Sequence, residues 1–151
     1  MSQQREVIRV KRGNRLDGAL PRFSDYLKKW AEKTPDNAAF IYHDVPISYQ
    51  QLYKNVQQVA KYMLKMGVKK GDRLAYVING RPEFFTFYLA ASMVGAIVVG
   101  MSTRHTTHEM AYVLKNCEPS FVLCLYNLLD VPSYQERLAP ALEECPSVQQ
   151  V

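Results

Sequence analysis

None of the three cysteines, Cys117, Cys124 and Cys145, stands in a C-x-x-C pair. That spacing and the odd count speak against a disulfide scaffold and a cysteine-rich zinc site. The thiols fit best as small hydrophobes in a reduced, cytoplasmic setting. The first twenty residues hold no apolar run, so a secretory leader is not expected. Ser2 stands where myristoylation would need glycine,. Neither G-x-x-x-x-G-K-[ST] nor G-x-G-x-x-G occurs, so the two common phosphate-cradling glycine loops are missing. Repeats and low-complexity tracts are also missing, which excludes solenoid, collagen-like and disordered classes.

What is present suits one globular domain. The 151 residues are 48% hydrophobic and 22% charged, enough for a real core. The net charge of +5 is unevenly spread. Residues 1–75 carry 15 Lys/Arg against 7 Asp/Glu, and residues 76–151 carry 4 against 7. A basic half suits a polyanion such as nucleic acid, a membrane surface or coenzyme A. It equally suits a solvated surface. Arg5, Arg9, Lys11, Arg12 and Arg15 lack interleaved aromatics, and no helix-turn-helix, zinc-finger or RRM pattern follows, so no nucleic-acid partner is expected.

Phe84 to Thr103 is free of charge for twenty residues, the length of a membrane span. Gly95 divides the run, and Ile97-Val98-Val99 after it is β-branched and strand-like. A buried helix leading into a buried parallel strand gives the same hydropathy. That reading is preferred, and no transmembrane span is expected.

Residues 1–20 read as a basic amino-terminal arm, and residues 21–151 as a partial α/β domain. Pro21 is placed at a helix start. Phe23, Tyr26, Leu27, Trp30 and Ala31 predict one apolar face, stopped by Thr34-Pro35-Asp36. Strands follow over Ala38–Tyr42 and Ile47–Tyr49, with His43-Asp44-Val45-Pro46 turning between them. Ser48 or Tyr49 opens a helix whose stripe is Leu52, Val56, Val59, Ala60, Met63 and Leu64, with Gly67 as its left-handed cap. After a turn at Lys69–Asp72, Arg73–Ile78 reads as a doubly buried strand. Pro82 opens a helix that is apolar nearly all round and so needs cover on several sides. Ala96–Met101 is a strand. Thr106-Thr107-His108-Glu109 matches a capping box, followed by Met110, Val113 and Leu114 on one helical face. Phe121–Leu125 is a strand, Tyr134–Glu144 a helix despite Pro140, and Val148–Val151 the first residues of another strand. From Leu74 onward the order is β-α-β-α-β-α, which argues for a parallel sheet with helices on both faces.

Few side chains carry chemistry. His105, His108 and Glu109 form H-x-x-H-E, which matches no zinc-protease motif, and the capping role of Glu109 is favoured. Arg104 either reaches a carboxylate or phosphate or is a surface arginine after a strand. Asn79 either lines a cleft at a strand's carboxyl end or caps the next helix. Phe84, Phe85, Phe87 and Tyr88 either wall an acyl tunnel or, as preferred, pack a core.

Six segments in series are similar to one family: T-P-D-N-A-A-F-I-Y (Thr34–Tyr42), I-S-Y-Q-Q-L (Ile47–Leu52), M-G-V-K-K-G-D-R-L-A (Met66–Ala75), N-G-R-P-E-F-F (Asn79–Phe85), G-A-I-V-V-G-M-S-T-R (Gly95–Arg104) and H-E-M-A-Y-V-L-K-N-C-E-P (His108–Pro119). In this order they resemble the opening of the adenylate-forming superfamily, with fatty or organic acid CoA ligases looking closest. Gly100, Ser102 and Thr103 replace a common Pro, Asn and Pro of that pattern.

The resemblance implies an amino-terminal segment of an AMP-forming acyl-CoA synthetase, its sheet left incomplete. The parent would join a carboxylic acid to coenzyme A through an acyl-adenylate, using ATP and Mg. Here the family's Ser/Thr/Gly-rich loop with its Lys is missing, so no catalytic, cofactor or metal residue is assigned and the chain alone is expected to be inactive. Asn79 and Arg104 are the substrate-proximal candidates. The expected partner is the remainder of the ligase chain, or a partner chain covering the open sheet edge. The rival readings are a stand-alone interaction module of the same fold and a single-span membrane protein.

Overall fold

A computed structural model describes residues 18–78, 80–124, 134–149 and 151. Of the expected basic arm, residues 1–17 lie outside the described residues, as does Asn79. The elements run α1 (Phe23–Lys33), β1 (Ala38–Tyr42), β2 (Val45–Ser48), α2 (Tyr49–Lys65), β3 (Arg73–Val77), α3 (Pro82–Val94), β4 (Ile97–Met101), α4 (Thr107–Cys117), β5 (Phe121–Cys124) and α5 (Gln135–Glu143).

Strands β4, β3 and β5 form a parallel sheet in that order. The chain moves one way from β3 to β4, then back past β3 to β5. Crossovers of one hand must then put α3 and α4 on opposite faces. The two buried clusters have this arrangement. Leu74 packs with Leu27, Val56, Phe87 and Leu89 on the face of α1, α2 and α3, where Tyr76, Val98, Phe121 and Leu123 join them. Ala75, Val77, Met101 and Val122 pack with Met110, Leu114, Leu138 and Ala141 on the face of α4 and α5. The strands alternate between the two cores residue by residue, as a pleat requires. Each fully buried Leu or Val stabilises by about 1.5–3 kcal/mol.

Local signals explain the boundaries. Helix α2 starts where Ser48 Oγ accepts the Gln51 N–H at 3.2 Å,. It ends in a Schellman motif: Gly67 N–H donates to the Leu64 carbonyl and Val68 N–H to the Met63 carbonyl, both at 3.0 Å,. Val68 and Met63 are both buried, the hydrophobic contact such a cap favours. Gly67 takes φ +87°, as expected. Helix α3 has Pro82 in its first turn and Gly95 in the left-handed region at its end, so the uncharged run divides where expected. Its 13 residues span about 20 Å, short of the ~30 Å apolar slab. Among the described residues no helix is long and apolar enough to cross a membrane.

Several expectations are corrected. Pro21 precedes Arg22, the residue that caps α1. Within α1 the buried residues are Ser24 and Leu27, whereas Phe23, Tyr26 and Trp30 are exposed. Ser24 is drawn inward because its N–H donates to Ser92 Oγ at 3.2 Å, with the two hydroxyls 3.4 Å apart. The β1–β2 turn needs only His43 and Asp44, both at positive φ. That pair suits a tight hairpin, and Val45 and Pro46 belong to β2 while Tyr49 belongs to α2. Leu64 is exposed rather than part of the α2 stripe. Ile78 falls just outside β3. No strand forms over 148, 149 and 151, the described residues of the expected last strand; instead Gln149 N–H donates to the Ser120 carbonyl at 2.8 Å.

Candidate functional site

The chain leaves β3 toward α3 on one face, and the helix after β5 lies on the other face. In open α/β sheets the crevice between such strands, at their carboxyl ends, is where ligands bind. Ile78, at the carboxyl end of β3, lies there, whereas Asn79 lies outside the described residues. Arg104 follows β4, on the far side of β3 from β5. It is exposed, and its N–H donates to Ser102 Oγ at 3.1 Å. The structure therefore keeps Arg104 at the carboxyl end but one strand away from the β3–β5 crevice.

Near Arg104 stands a side chain that the sequence did not single out, Arg137. Arg137 of α5 donates from Nη2 to the Thr103 carbonyl at 2.7 Å, tying α5 to the end of β4. Among the described residues its Nε and the Nδ1 of His105 are buried with no hydrogen-bond partner. No sequence signal marked Arg137, because its partner is a backbone carbonyl 34 residues away.

The H-x-x-H-E segment forms the capping box. Thr106 Oγ1 accepts the Glu109 N–H at 3.3 Å, and Glu109 Oε2 accepts the Thr106 N–H at 2.8 Å. The Thr106 amide, then its hydroxyl, hold the Glu109 carboxyl below the usual range, with smaller help from His105 and His108. Asp25 is held low by Arg22 and Glu144 by Lys115. These three carboxylates are thus already engaged, and among the described residues no three His, Cys, Asp or Glu groups could hold a metal ion.

The outer edge of β5 is unpaired among the described residues. Along it runs an apolar groove in two lobes, about 470 and 280 Å3. Val59 of α2, Phe87 of α3 and Leu123 of β5 line both. The hairpin closes the first lobe with Phe40 and Ile47. Of the aromatic cluster, Phe87 is buried at this groove, while Phe85 and Tyr88 are exposed. A ring chain runs Phe23–Tyr88–Phe84–Phe85–Phe40 at centroid separations of 5.2–5.8 Å. Arg81 lies 5.8 Å over the Tyr42 ring and pairs with Glu83, so the start of α3 grips the hairpin.

These features define a doubly wound α/β protein whose strand-order crevice and open sheet edge both lie on the β5 side. A family model described as AMP-binding enzyme matches residues 27–151. The chain belongs to that family, the adenylate-forming enzymes its motifs resemble. It is 30% identical over 115 residues to the 2-succinylbenzoate–CoA ligase of Bacillus thuringiensis subsp. konkukian, covering 73% of this chain and 23% of that one. It is 27% identical over 110 residues to 4-hydroxybutyrate–CoA ligase 2 of Metallosphaera sedula, covering 70% and 20%. The fold matches the acetoacetyl-CoA synthetase of Streptomyces lividans with a TM-score of 0.78 at 18% identity, over 85% of this chain and 21% of that one. The chain spans about a fifth of the length of these curated relatives.

Proposed function

We propose that this chain is the amino-terminal segment of an AMP-forming fatty or organic acid CoA ligase, and that its work there is structural. The supporting observation is the pairing of a fold match over 85% of the chain with an open edge: among the described residues β5 is unpaired and the apolar groove beside it is open. In this reading residues 1–20 are a basic arm and residues 21–151 a partial α/β domain. The remainder of the ligase covers the edge and the groove. The carboxylic acid, ATP, Mg and coenzyme A are used by the whole enzyme, in a cytoplasmic setting. Asn79 and Arg104 are assigned substrate-proximal positions in it, and no residue of this segment is assigned to catalysis.

The test is ATP–pyrophosphate exchange with the purified chain across a panel of short, medium and aromatic carboxylic acids. No signal above background is expected. Exchange with any acid overturns the proposal. The open edge also favours a second reading, a non-catalytic interaction module. A defined dimer, or a stable complex with one other chain in sedimentation velocity, would establish that reading instead.

A further inference from the structure

Two thiols that are distant in sequence converge on one backbone oxygen. Cys117, at the last position of α4, directs its Sγ to the Leu114 carbonyl at 3.9 Å. Cys145, just beyond α5, directs its Sγ to the same oxygen at 3.5 Å. Both are reduced. The two thiols therefore share one acceptor oxygen, each within 4 Å of it. Cys124 is elsewhere: it ends β5 beside Val77, whereas Cys117 and Cys145 lie where β5 begins. Ser147 Oγ, 3.2 Å from Cys145 Sγ, donates to the Pro119 carbonyl just before that strand.

We propose that Cys117 and Cys145 form a thiol–disulfide pair, oxidised by a low-molecular-weight disulfide such as oxidised glutathione. The two thiols differ in access. Cys145 is 4% exposed, and Cys117 is only half-buried. Cys117 is thus the entry point. Its thiolate attacks the glutathione disulfide, forming a mixed disulfide and releasing one glutathione thiolate. The Cys145 thiolate then attacks the Cys117 sulfur, forming the Cys117–Cys145 bond and releasing the second glutathione. The two protons lost by the cysteines end on the two glutathione thiols, and the two electrons pass to glutathione. Burial pushes the Cys117 thiol above its usual range, with the nearby Cys145 adding to it, so the first step speeds up with rising pH.

The bond would lock the end of α4 to the end of α5. These helices already meet through the Lys115–Glu144 ion pair and share the core with Met110, Leu114, Leu138 and Ala141. Closing the long loop between the two cysteines restricts the unfolded chain and raises thermal stability.

The experiment is peptide mapping of the dilute chain after equilibration with oxidised glutathione, without reduction, with free thiols alkylated. Three cysteines allow three pairings. The expected product is one cross-linked peptide holding Cys117 and Cys145, with Cys124 alkylated and the Tm raised by at least a few degrees. In urea the three pairings should scatter. Cys145→Ser should stop at glutathione on Cys117, and Cys117→Ser should leave Cys145 unmodified. Cross-links through Cys124 in the native chain overturn the proposal, as does full alkylation of Cys117 and Cys145 after equilibration. The wild-type map needs no variant to fold. The outcome is independent of the exchange assay.

Discussion

The hydroxyl of Tyr76 occupies the place where residue 100 would carry a side chain. A Cβ built on Gly100 lies 2.7 Å from Tyr76 Oη and 3.0 Å from its Cζ. The two residues are register partners on β3 and β4, and the Tyr76 ring rests against Phe84 at 5.0 Å. The space that a Cβ at residue 100 would fill is taken here by the tyrosine.

Gly100→Ala should therefore destabilise by about 1–3 kcal/mol through overpacking, read from urea unfolding. Adding Tyr76→Phe removes the nearest atom and should recover part of that loss. A double variant no better than the single one would show that the strain lies elsewhere.

Gly67→Ala tests a different cost. Nothing lies within 4 Å of a Cβ there, but φ is +87°. The substitution should cost about 1–2 kcal/mol from backbone conformation alone. The loss should persist whatever neighbouring side chains are trimmed. A change of only a few tenths would mean that the Schellman cap is not held in solution.

Thr106→Ala removes the hydroxyl that accepts the Glu109 amide and should cost about 1 kcal/mol. Glu109 adds a pH dependence. Its carboxyl is held low in the folded chain, so its stabilisation is fully present above the ordinary glutamate range. It is lost as pH falls through the lowered value. Glu109→Gln should flatten this acid limb in unfolding curves taken between neutral and strongly acid pH. An unchanged limb would assign acid sensitivity to Asp25 and Glu144, which are held low in the same direction.

Elements whose signals are local were legible in the sequence. The α2 stripe apart from Leu64, the Gly67 and Gly95 ends, the Thr106 box and the three parallel strands each rest on a few adjacent residues. Among the readings that failed, two depend on what lies opposite. The α1 periodicity marks Phe23, Tyr26 and Trp30 as apolar, yet burial went to Ser24, whose partner Ser92 is 68 residues away. Val148–Val151 has strand composition, but a strand needs a neighbouring backbone to pair with. The candidate site was legible only as far as the carboxyl ends of strands. The placement of Arg104 beyond β3, and the reach of Arg137 to Thr103, depend on strand order. No short segment encodes that order.

The strand order β4-β3-β5 also carries a message about time. The central strand is the earliest of the three in the chain, and its two neighbours come later, one for each side. A polypeptide emerging amino-terminus first presents β3 as a bare template. It gains β4 after one helix and β5 only after another. Until β5 arrives, one flank of the most buried strand lies open, and unpaired edges of this kind recruit other chains. The sheet is assembled from the middle outward, and its hazard during synthesis falls between α3 and β5.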